Sequence, residues 1–261
     1  MHTIDLNCDL GEGFGHDAEL IALVSSVNVA CGAHAGDDET MRTAIRLAAA
    51  AGVGIGAHPG YEDPANFGRV ATLLPPGAVR DLVLRQVERL LSITHAEHAT
   101  VRHVKPHGAL YHAAASDAAI ADAVLDGIID PSLAVVGPPA GRLLDAALQR
   151  GRLYVREGFI DRRYKPDGTL VPRGRPDAVV GDPDDAARQA VSLAVDGRVI
   201  VGGDSWIDLD AQTLCVHGDG PSALPVLRAA RHALESNGIT IRPWPHPPGR
   251  TPPGGTAASA G

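Results

Sequence analysis

The sequence has few cysteines and no long apolar run, and both absences narrow the class of protein. No stretch of about 18 or more apolar residues occurs in the chain, so no membrane-spanning helix is expected. The cysteines Cys8, Cys31 and Cys215 are scattered and form no CxxC pair. The first residues lack the basic and then apolar regions of a secretory signal. These features predict a cytoplasmic protein whose thiols are small core groups.

The chain also lacks a basic cluster. Its formal net charge is -8 at pH 7 with His neutral, which would repel a phosphate backbone, so no nucleic acid partner is expected. Two nucleotide-binding patterns are missing as well: GxxxxGKS/T, and GxGxxG between a strand and a helix. The sequence therefore predicts no familiar phosphate-binding loop.

Short β-rich runs alternate with helical segments along the chain. The β-rich runs are TIDLN, SVNVA, VGIGAH, TVRHVK, LAVVG, LYVREG, RVIV and TLCVHG. Such alternation implies βαβ units, hence a parallel sheet covered by helices. About seven units in one chain predict a single α/β domain closed into a barrel. We assign residues 1–244 to this barrel domain, and residues 245–261, which are rich in Pro and Gly, to a disordered tail.

The first β-rich run continues as TIDLNCDL and carries unusually many polar groups for a buried strand. Because successive side chains of a strand point to opposite faces, Asp5, Asn7 and Asp9 lie on one side and Cys8 on the other. An ordinary half-buried strand would turn its polar side to water. In a barrel, the same alternation directs the polar side into the barrel and its mouth.

Polar residues also follow the ends of several runs. They are Asp9, Glu12, His34, His58, Lys105, His107, Glu157, His217 and Asp219. In parallel α/β folds the loops after the strands gather on one face, which carries the active site of barrels. Any one of these residues alone could be a helix cap or a solvated side chain. Their recurrence at one strand end after another predicts a shared site.

Several long segments resemble the LamB/YcsF family. They are DLNCDLGEG, VNVACGAHAGD, GAHPG with NFGR, RHVKPHGALY, DRRYKPDGTLVPR and TLCVHGDG, in this order from residue 5 to residue 220. The resemblance implies a TIM-like (β/α)7 barrel of the glycoside hydrolase/deacetylase type. It also implies ATP-dependent opening of 5-oxo-L-proline to L-glutamate, with two partner subunits, B and C, of a 5-oxoprolinase supplying the ATP-dependent activation. Cys8, where a small residue such as Ala is common, and the Pro-rich tail depart from the family pattern.

Hydrolysis of an activated lactam needs a base for water, a proton donor and groups that stabilise negative charge. The candidate catalytic residues are Asp5, Asn7, Asp9, Glu12, His34, His58, Lys105 and His107. Lys105 is the expected electrostatic partner, with opposite charge to Asp9 across the barrel mouth. ATP is the cofactor of the complete complex, no metal ligands are assigned, and the sequence supports no divalent metal beyond the magnesium that accompanies ATP.

A second set of residues is assigned to substrate binding: Glu157, Asp161, Arg162, Arg173, His217 and Asp219. Arg162, Arg163 and Arg173 belong to one segment, and a guanidinium can bind a carboxylate or a phosphate in bidentate fashion. The alternative for this segment is a solvated turn around Asp167 and Gly168.

Three other hypotheses stay open. A metal-dependent amide hydrolase of the deacetylase kind could use Asp9, His58 and His107 to hold a divalent ion, although no HxxH or HExxH spacing supports it. A nucleophilic Cys8 is disfavoured because strand alternation turns the thiol toward the helices. A non-catalytic scaffold that binds other proteins would not require charged residues at so many strand ends.

Overall fold

Strands and helices alternate along most of the chain, as the sequence predicts. The computed structural model describes residues 2–203 and 205–244, so the predicted tail at 245–261 lies outside the described residues. The strands are β1 (Thr3–Leu10), β2 (Ser26–Ala30), β3 (Gly54–His58), β4 (Val101–Val104), β5 (Ala134–Gly137), β6 (Tyr154–Phe159), β7 (Arg198–Gly202), β8 (Ser205–Asp208), β9 (Thr213–Val216) and β10 (Thr240–Ile241). The α-helices are α1 (Asp17–Ile21), α2 (Asp38–Ala50), α3 (Pro76–Ala96), α4 (Gly108–Ser116), α5 (Ala118–Gly127), α6 (Arg142–Gln149), α7 (Pro183–Val191) and α8 (Ala223–Ser236).

Seven parallel strands close into a barrel in the order β1-β2-β3-β4-β5-β6-β9, and β9 pairs with both β6 and β1. In the register of β1, Asn7 lies opposite Ser26 of β2 and Cys215 of β9. The two-residue strand β10 pairs with the beginning of β1, where Thr3 lies opposite Thr240. The predicted (β/α)7 barrel in a single α/β domain is confirmed.

The run RVIV is a strand, but it lies outside the barrel. It forms β7, which pairs antiparallel with β8 in a separate two-stranded sheet. Val199 is fully buried, whereas Ile200 and Trp206, which face each other across the pair, are about half exposed. A strand of a helix-covered barrel is buried on both faces, so this alternation is typical of a surface hairpin instead.

The main hydrophobic core fills the layer between barrel and helices. Helix α2 shows how the sequence builds this layer. Its N-cap Asp37 accepts a hydrogen bond from the backbone N–H of Thr40, which closes a capping box. Met41, Ala44, Ile45 and Ala48 then recur at helical spacing and are fully buried. None of the described helices is long and apolar enough to span a bilayer.

The inside of the barrel differs from this outer layer because much of it is polar. The buried polar side chains that line it are Asp5, Asn7, Asp9, Ser26, Asn28, His103, Lys105, Glu157 and Thr213. A Cβ on Gly56 would lie only 2.1 Å from Nε2 of His103, so a glycine in β3 leaves room for that ring. A small apolar cluster formed by Ala134, Val136, Val155 and Trp244 completes the interior. Trp244 follows β10 at the strand-start end and so closes the barrel floor.

Candidate active site

A pocket of about 250 Å³ opens at the C-terminal mouth of the barrel. Asp9, His58, Lys105 and His107, which end or follow β1, β3 and β4, line it together with arginines from the loops after β3 and β6. Because the carboxyl ends of all seven parallel strands meet at this face, residues far apart in sequence converge here. The predicted shared site therefore exists as a geometric unit.

Lys105 is the buried cation of the site. Its Nζ lies 2.9 Å from Oδ1 of Asp9 and 2.8 Å from Oε1 of Glu157. The same nitrogen lies 3.1 Å from Sγ of Cys215. Burial opposes the charged ammonium, but attraction by Asp9 and Glu157 raises the pKa of Lys105 well above its usual value. The predicted Asp9–Lys105 pair is confirmed, and Glu157 completes it as a triad.

Asp9 is fixed by several partners besides Lys105. Nδ2 of Asn28 donates to its Oδ1 at 2.9 Å, and Nε2 of His58 lies 3.4 Å from its Oδ2. Burial alone would raise the pKa of Asp9, yet His58 and Lys105 hold that pKa well below its usual range. Asp9 is therefore an ionised carboxylate held in one orientation.

The two imidazole rings of His58 and His107 are oriented by backbone carbonyls. Nδ1 of His58 donates to the carbonyl oxygen of Lys105 at 2.8 Å, and Nε2 of His107 donates to that of Phe67 at 2.9 Å. When such a ring is neutral, its other nitrogen carries a lone pair. These two nitrogens, Nε2 of His58 and Nδ1 of His107, lie 3.0 Å apart. Two facing lone pairs at this distance require a shared proton or a cation between them.

Glu12 and His34 complete this cluster. Oε1 of Glu12 lies 3.5 Å from Nδ1 of His107 and 3.4 Å from Nε2 of His34. Burial, reinforced by the charge of Asp9, raises the pKa of Glu12 well above its usual value. The ring of His34 stacks on that of His107 with centroids 3.7 Å apart. Burial lowers the pKa of His34 to about 3, so this ring is neutral.

The cluster has the donor set of a metal site. One ligand atom from each of Asp9, Glu12, His58 and His107 can be chosen so that all four lie within 4.8 Å of one another. Each of the two histidines donates its other N–H to a backbone carbonyl, as metal-binding histidines commonly do. The residues therefore fit a divalent ion that accepts nitrogen and carboxylate ligands.

Asp5 and Asn7 lie deeper in the barrel than this cluster. Asp5 accepts hydrogen bonds from the hydroxyls of Ser25, Ser26 and Thr213 at 2.6, 2.7 and 2.5 Å. Burial raises its pKa, and these hydroxyls offset part of the rise. Nδ2 of Asn7 donates to Oε1 of Glu157 at 3.2 Å, which orients the third member of the triad. A catalytic role for Asp5 and Asn7 stays a prediction.

The predicted substrate-binding residues divide into those at the pocket and those around it. Arg162, Arg173 and His217 line the pocket. Arg173 pairs with Asp219 at 2.8 Å, and Nδ1 of His217 lies 2.9 Å from Oδ2 of Asp161. Glu157 belongs to the lysine triad instead. Arg163, the remaining arginine of the segment, pairs with Asp185 of α7 at 3.2 Å and does not line the pocket.

Some residues of the site were not singled out from the sequence. Arg69 lies in the segment NFGR, lines the pocket and pairs with Asp219. Nδ2 of Asn28 donates to Oδ1 of Asp9, and Nε2 of His103 lies 2.8 Å from Oδ1 of Asn28. The alternation of SVNVA would have directed Asn28 inward together with Ser26. No such signal was available for Cys215, because a thiol in a strand reads as a core group.

The fold and this cluster define a class of protein: a parallel seven-stranded α/β barrel with a buried cluster of acidic and basic side chains at its mouth. The chain belongs to the LamB/YcsF family, whose pattern matches residues 4–248. The resemblance drawn from the sequence is thereby confirmed.

Two similar proteins have been described. Over 246 residues the chain is 46% identical to the A subunit of the 5-oxoprolinase of Methylococcus capsulatus, and the match covers 92% of this chain and 95% of that protein. The crystal structure of a lactam utilization protein from Thermus thermophilus superposes with a TM-score of 0.86 at 40% identity, covering 92% of this chain and 99% of the other.

A more distant structure has the same fold. The catalytic domain of a peptidoglycan N-acetylglucosamine deacetylase from Eubacterium rectale gives a TM-score of 0.51 at 14% identity, over 93% of this chain and 88% of that one. This similarity concerns the barrel architecture alone.

Proposed function

We propose that this chain is the component of a 5-oxoprolinase that opens the lactam ring of 5-oxo-L-proline to give L-glutamate. The observation that carries the proposal is the 46% identity to the A subunit of a 5-oxoprolinase over nearly the whole of both chains. The pocket agrees in size. Its volume of about 250 Å³ lies below the roughly 300–1,000 Å³ of sites for drug-sized ligands, and so suits a molecule the size of an amino acid.

The chemistry of a lactam explains why ATP is needed. Resonance stabilises the five-membered cyclic amide, so its carbonyl resists attack by water. Transfer of a phosphoryl group to the amide oxygen converts that oxygen into a leaving group. Water then adds to the ring carbon, and cleavage of the carbon–nitrogen bond with proton transfer to nitrogen gives an acyl phosphate. A second water molecule hydrolyses this acyl phosphate to L-glutamate and phosphate.

The residues at the barrel mouth suit the hydrolytic steps that follow phosphoryl transfer. Asp9 is an ionised carboxylate fixed by Lys105 and Asn28, so it can accept a proton from the attacking water. Lys105 is held in place by Asp9 and Glu157. Its ammonium can stabilise negative charge that develops on the substrate oxygen without reorganising. Glu12, whose pKa burial raises well above its usual value, is the candidate proton donor.

Activation by ATP is assigned to the partners. The chain has neither of the two common nucleotide-binding patterns, and the pocket is small for a nucleotide. We propose that subunits B and C supply the phosphoryl transfer, with magnesium bound to the ATP, and that the assembly works in the cytoplasm.

Reconstitution tests the proposal. The chain, subunits B and C, and all three together are assayed for ATP hydrolysis that depends on 5-oxo-L-proline and for release of L-glutamate. We expect both activities only in the complete assembly. Rapid ring opening by this chain without ATP and without the partners would refute the division of labour.

A second candidate function is a metal-dependent amide hydrolase. The specific observation in its favour is the convergence of lone pairs from Asp9, Glu12, His58 and His107. These four residues would hold the ion, which would polarise a carbonyl or a water molecule. In that arrangement Lys105 remains beside Asp9 and supports the charge of the carboxylate.

Metal binding is measured apart from activity. The purified chain is analysed for zinc, manganese and other divalent metals, and its melting is followed after chelation and after addition of each ion. A stabilising ion should raise the melting temperature of the wild type and not that of His107→Ala. His112→Ala is the matched control, because His112 lines the same pocket outside the donor set. Equal response of the wild type and His107→Ala would exclude a metal at this cluster.

A further inference from the structure

Arg162 is a buried guanidinium that lines the pocket. The residue is only 4% exposed. Its Nη2 donates to the carbonyl oxygen of Val171 at 2.7 Å, and its Nε donates to that of Ala178 at 3.3 Å. Within residues 2–203 and 205–244, no carboxylate oxygen lies within 4.0 Å of its nitrogen atoms. Two carbonyl oxygens thus anchor the guanidinium plane but do not neutralise its charge.

The charged side chains around Arg162 are engaged with one another. Arg69 and Arg173 both line the pocket, and both pair with the same oxygen, Oδ2 of Asp219. Asp161, the acid next to Arg162 in the chain, is engaged by His217. Burial and the nearby Arg173 lower the pKa of Arg162, and the attraction of Asp161 offsets only part of this. Arg69 and Arg173 therefore share one carboxylate, Asp219, and neither pairing involves Arg162.

A buried charge without a counter-charge is costly, and proteins keep one mainly where a ligand supplies the missing charge. A guanidinium held by Nε and Nη2 presents its remaining edge in a fixed direction, which suits a planar oxyanion. The apolar side chains of Phe159 and Leu170 line the same pocket. They reduce the screening of this interaction by water.

We propose that Arg162, with Arg173 beside it, forms a subsite for the carboxylate of the substrate and so directs the lactam carbonyl toward Asp9 and Lys105. This inference rests on the proposed function, since the carboxylate is the anionic group of 5-oxo-L-proline. A phosphoryl group has the same oxyanion chemistry, and the experiment must distinguish the two.

The test uses the full chain and three probes. Calorimetry measures the binding of 5-oxo-L-proline, of pyrrolidin-2-one, which is the same lactam without the carboxylate, and of inorganic phosphate. The variants are Arg162→Met and the control Arg163→Met. Arg163 is the next residue, but its side chain is 40% exposed and its guanidinium pairs with Asp185. Melting curves verify that each variant folds.

We expect the wild type to bind 5-oxo-L-proline about tenfold to a hundredfold more tightly than pyrrolidin-2-one, as for one charged hydrogen-bonded contact. Arg162→Met should remove most of this difference, whereas Arg163→Met should preserve it. In the complete assembly with subunits B and C, Arg162→Met should raise KM for 5-oxo-L-proline by a similar factor and change kcat less.

Three results would overturn the subsite. One is an equal loss of affinity for both lactams in Arg162→Met, and another is an unchanged KM in that variant. The third is a loss of phosphate binding while binding of 5-oxo-L-proline persists, which would indicate a phosphoryl site. If Arg162→Met does not fold, wild-type binding decides: equal affinity for the two lactams overturns the proposal.

The experiment distinguishes failure of the carboxylate subsite from failure of the proposed function. If the complete assembly fails to open 5-oxo-L-proline but the chain still binds it through Arg162, the function fails and the carboxylate subsite stands. If the assembly opens the ring and Arg162→Met has a normal KM, the subsite fails and the function stands.

Discussion

Strand β1 carries two buried carboxylates on the same barrel-facing side, and their surroundings are opposite in kind. Asp5 accepts hydrogen bonds from three hydroxyl groups. Asp9 lies further along the same strand and contacts the ammonium of Lys105 and the imidazole of His58. Burial raises the pKa of Asp5, whereas the charges beside Asp9 lower its pKa. The same residue type on one strand thus meets two different electrostatic environments.

The difference indicates two roles. Hydroxyl groups are neutral dipoles that satisfy a carboxyl group and lock the strands that carry them. Fixed charges at a pocket instead keep a carboxylate ionised where a reactant can reach it. We propose that Asp5 stabilises the closed barrel and that Asp9 acts in the reaction. Substitutions at the two positions should separate these effects.

Asp9→Asn should have the largest effect on activity. The amide keeps the shape of the side chain but loses the negative charge, while Lys105 keeps Glu157 as a partner. We expect turnover by the complete assembly to fall by roughly a hundredfold or more, with a cooperative melting transition still present. Turnover and melting are measured on the same samples, and normal turnover of the folded variant would remove Asp9 from the mechanism.

Asp5→Asn should instead lower stability more than activity. Its NH₂ group would face a hydroxyl that now donates to the carboxylate, so at least one buried hydrogen bond is lost. We expect a destabilisation of about 1–3 kcal/mol and a turnover per folded molecule within a fewfold of the wild type. Denaturant titration measures the stability, and the turnover assay measures the activity of the same samples. A stable variant with a hundredfold lower turnover would support the catalytic role that the sequence suggested for Asp5.

The pH dependence of stability sharpens the comparison without an activity assay. Because the folded-state pKa of Asp5 is raised above 3.8, its contribution to stability is complete below the unfolded pKa and decreases as pH rises through the folded value. Asp161, whose pKa burial would raise but the charge of His217 lowers, should behave oppositely. Its contribution is present above the unfolded pKa and is lost as pH falls through the folded value.

Denaturant titrations from strongly acidic pH, below the unfolded pKa of 3.8, to neutral pH test this sign. The destabilisation caused by Asp5→Asn should be largest at the acidic end, and that caused by Asp161→Asn at the neutral end. The same trend in both variants would contradict the assignment of two environments.

The smallest expected effects are those of replacing two thiols that lie on opposite sides of the barrel wall. Cys8 alternates with Asp9 and is directed toward the helices, so Cys8→Ala should cost on the order of 1 kcal/mol and preserve turnover. Cys215 contacts Nζ of Lys105 at 3.1 Å, so Cys215→Ala should lower turnover severalfold. Melting and steady-state assays compare the two. Equal turnover in both variants would show that the Cys215 contact has no role in the reaction.

Much of the fold could be predicted because its signals are local. Period-two patterns in runs such as TIDLNCDL identify barrel strands, and the Asp9–Lys105 pair follows from placing strand ends on one face. The hairpin of β7 and β8 was not distinguishable from a barrel unit, because RVIV has the composition of a buried strand. Burial of Trp244 in the floor depends on contacts across the barrel, which no local pattern reveals.

Side-chain pairing within the site was the least predictable part. The sequence marks Arg162 and Arg163 as equivalent neighbours, but in the fold one lines the pocket and the other pairs with Asp185. The tautomers of His58 and His107 likewise depend on carbonyl groups of Lys105 and Phe67 that approach only in the folded chain. Such pairings are tertiary, and they decide what the strand-end residues do.

The buried indole in the barrel floor gives this protein an optical reporter. The chain has two tryptophans; Trp206 is 53% exposed on the hairpin, and Trp244 is 7% exposed with its ring 6.3 Å from that of His103. Trp206→Phe would leave Trp244 as the single emitter, with blue-shifted fluorescence while the floor is closed. Because His103 and Asn28 link this indole to Asp9, we expect ligand binding at the mouth to change the emission from the opposite end of the barrel.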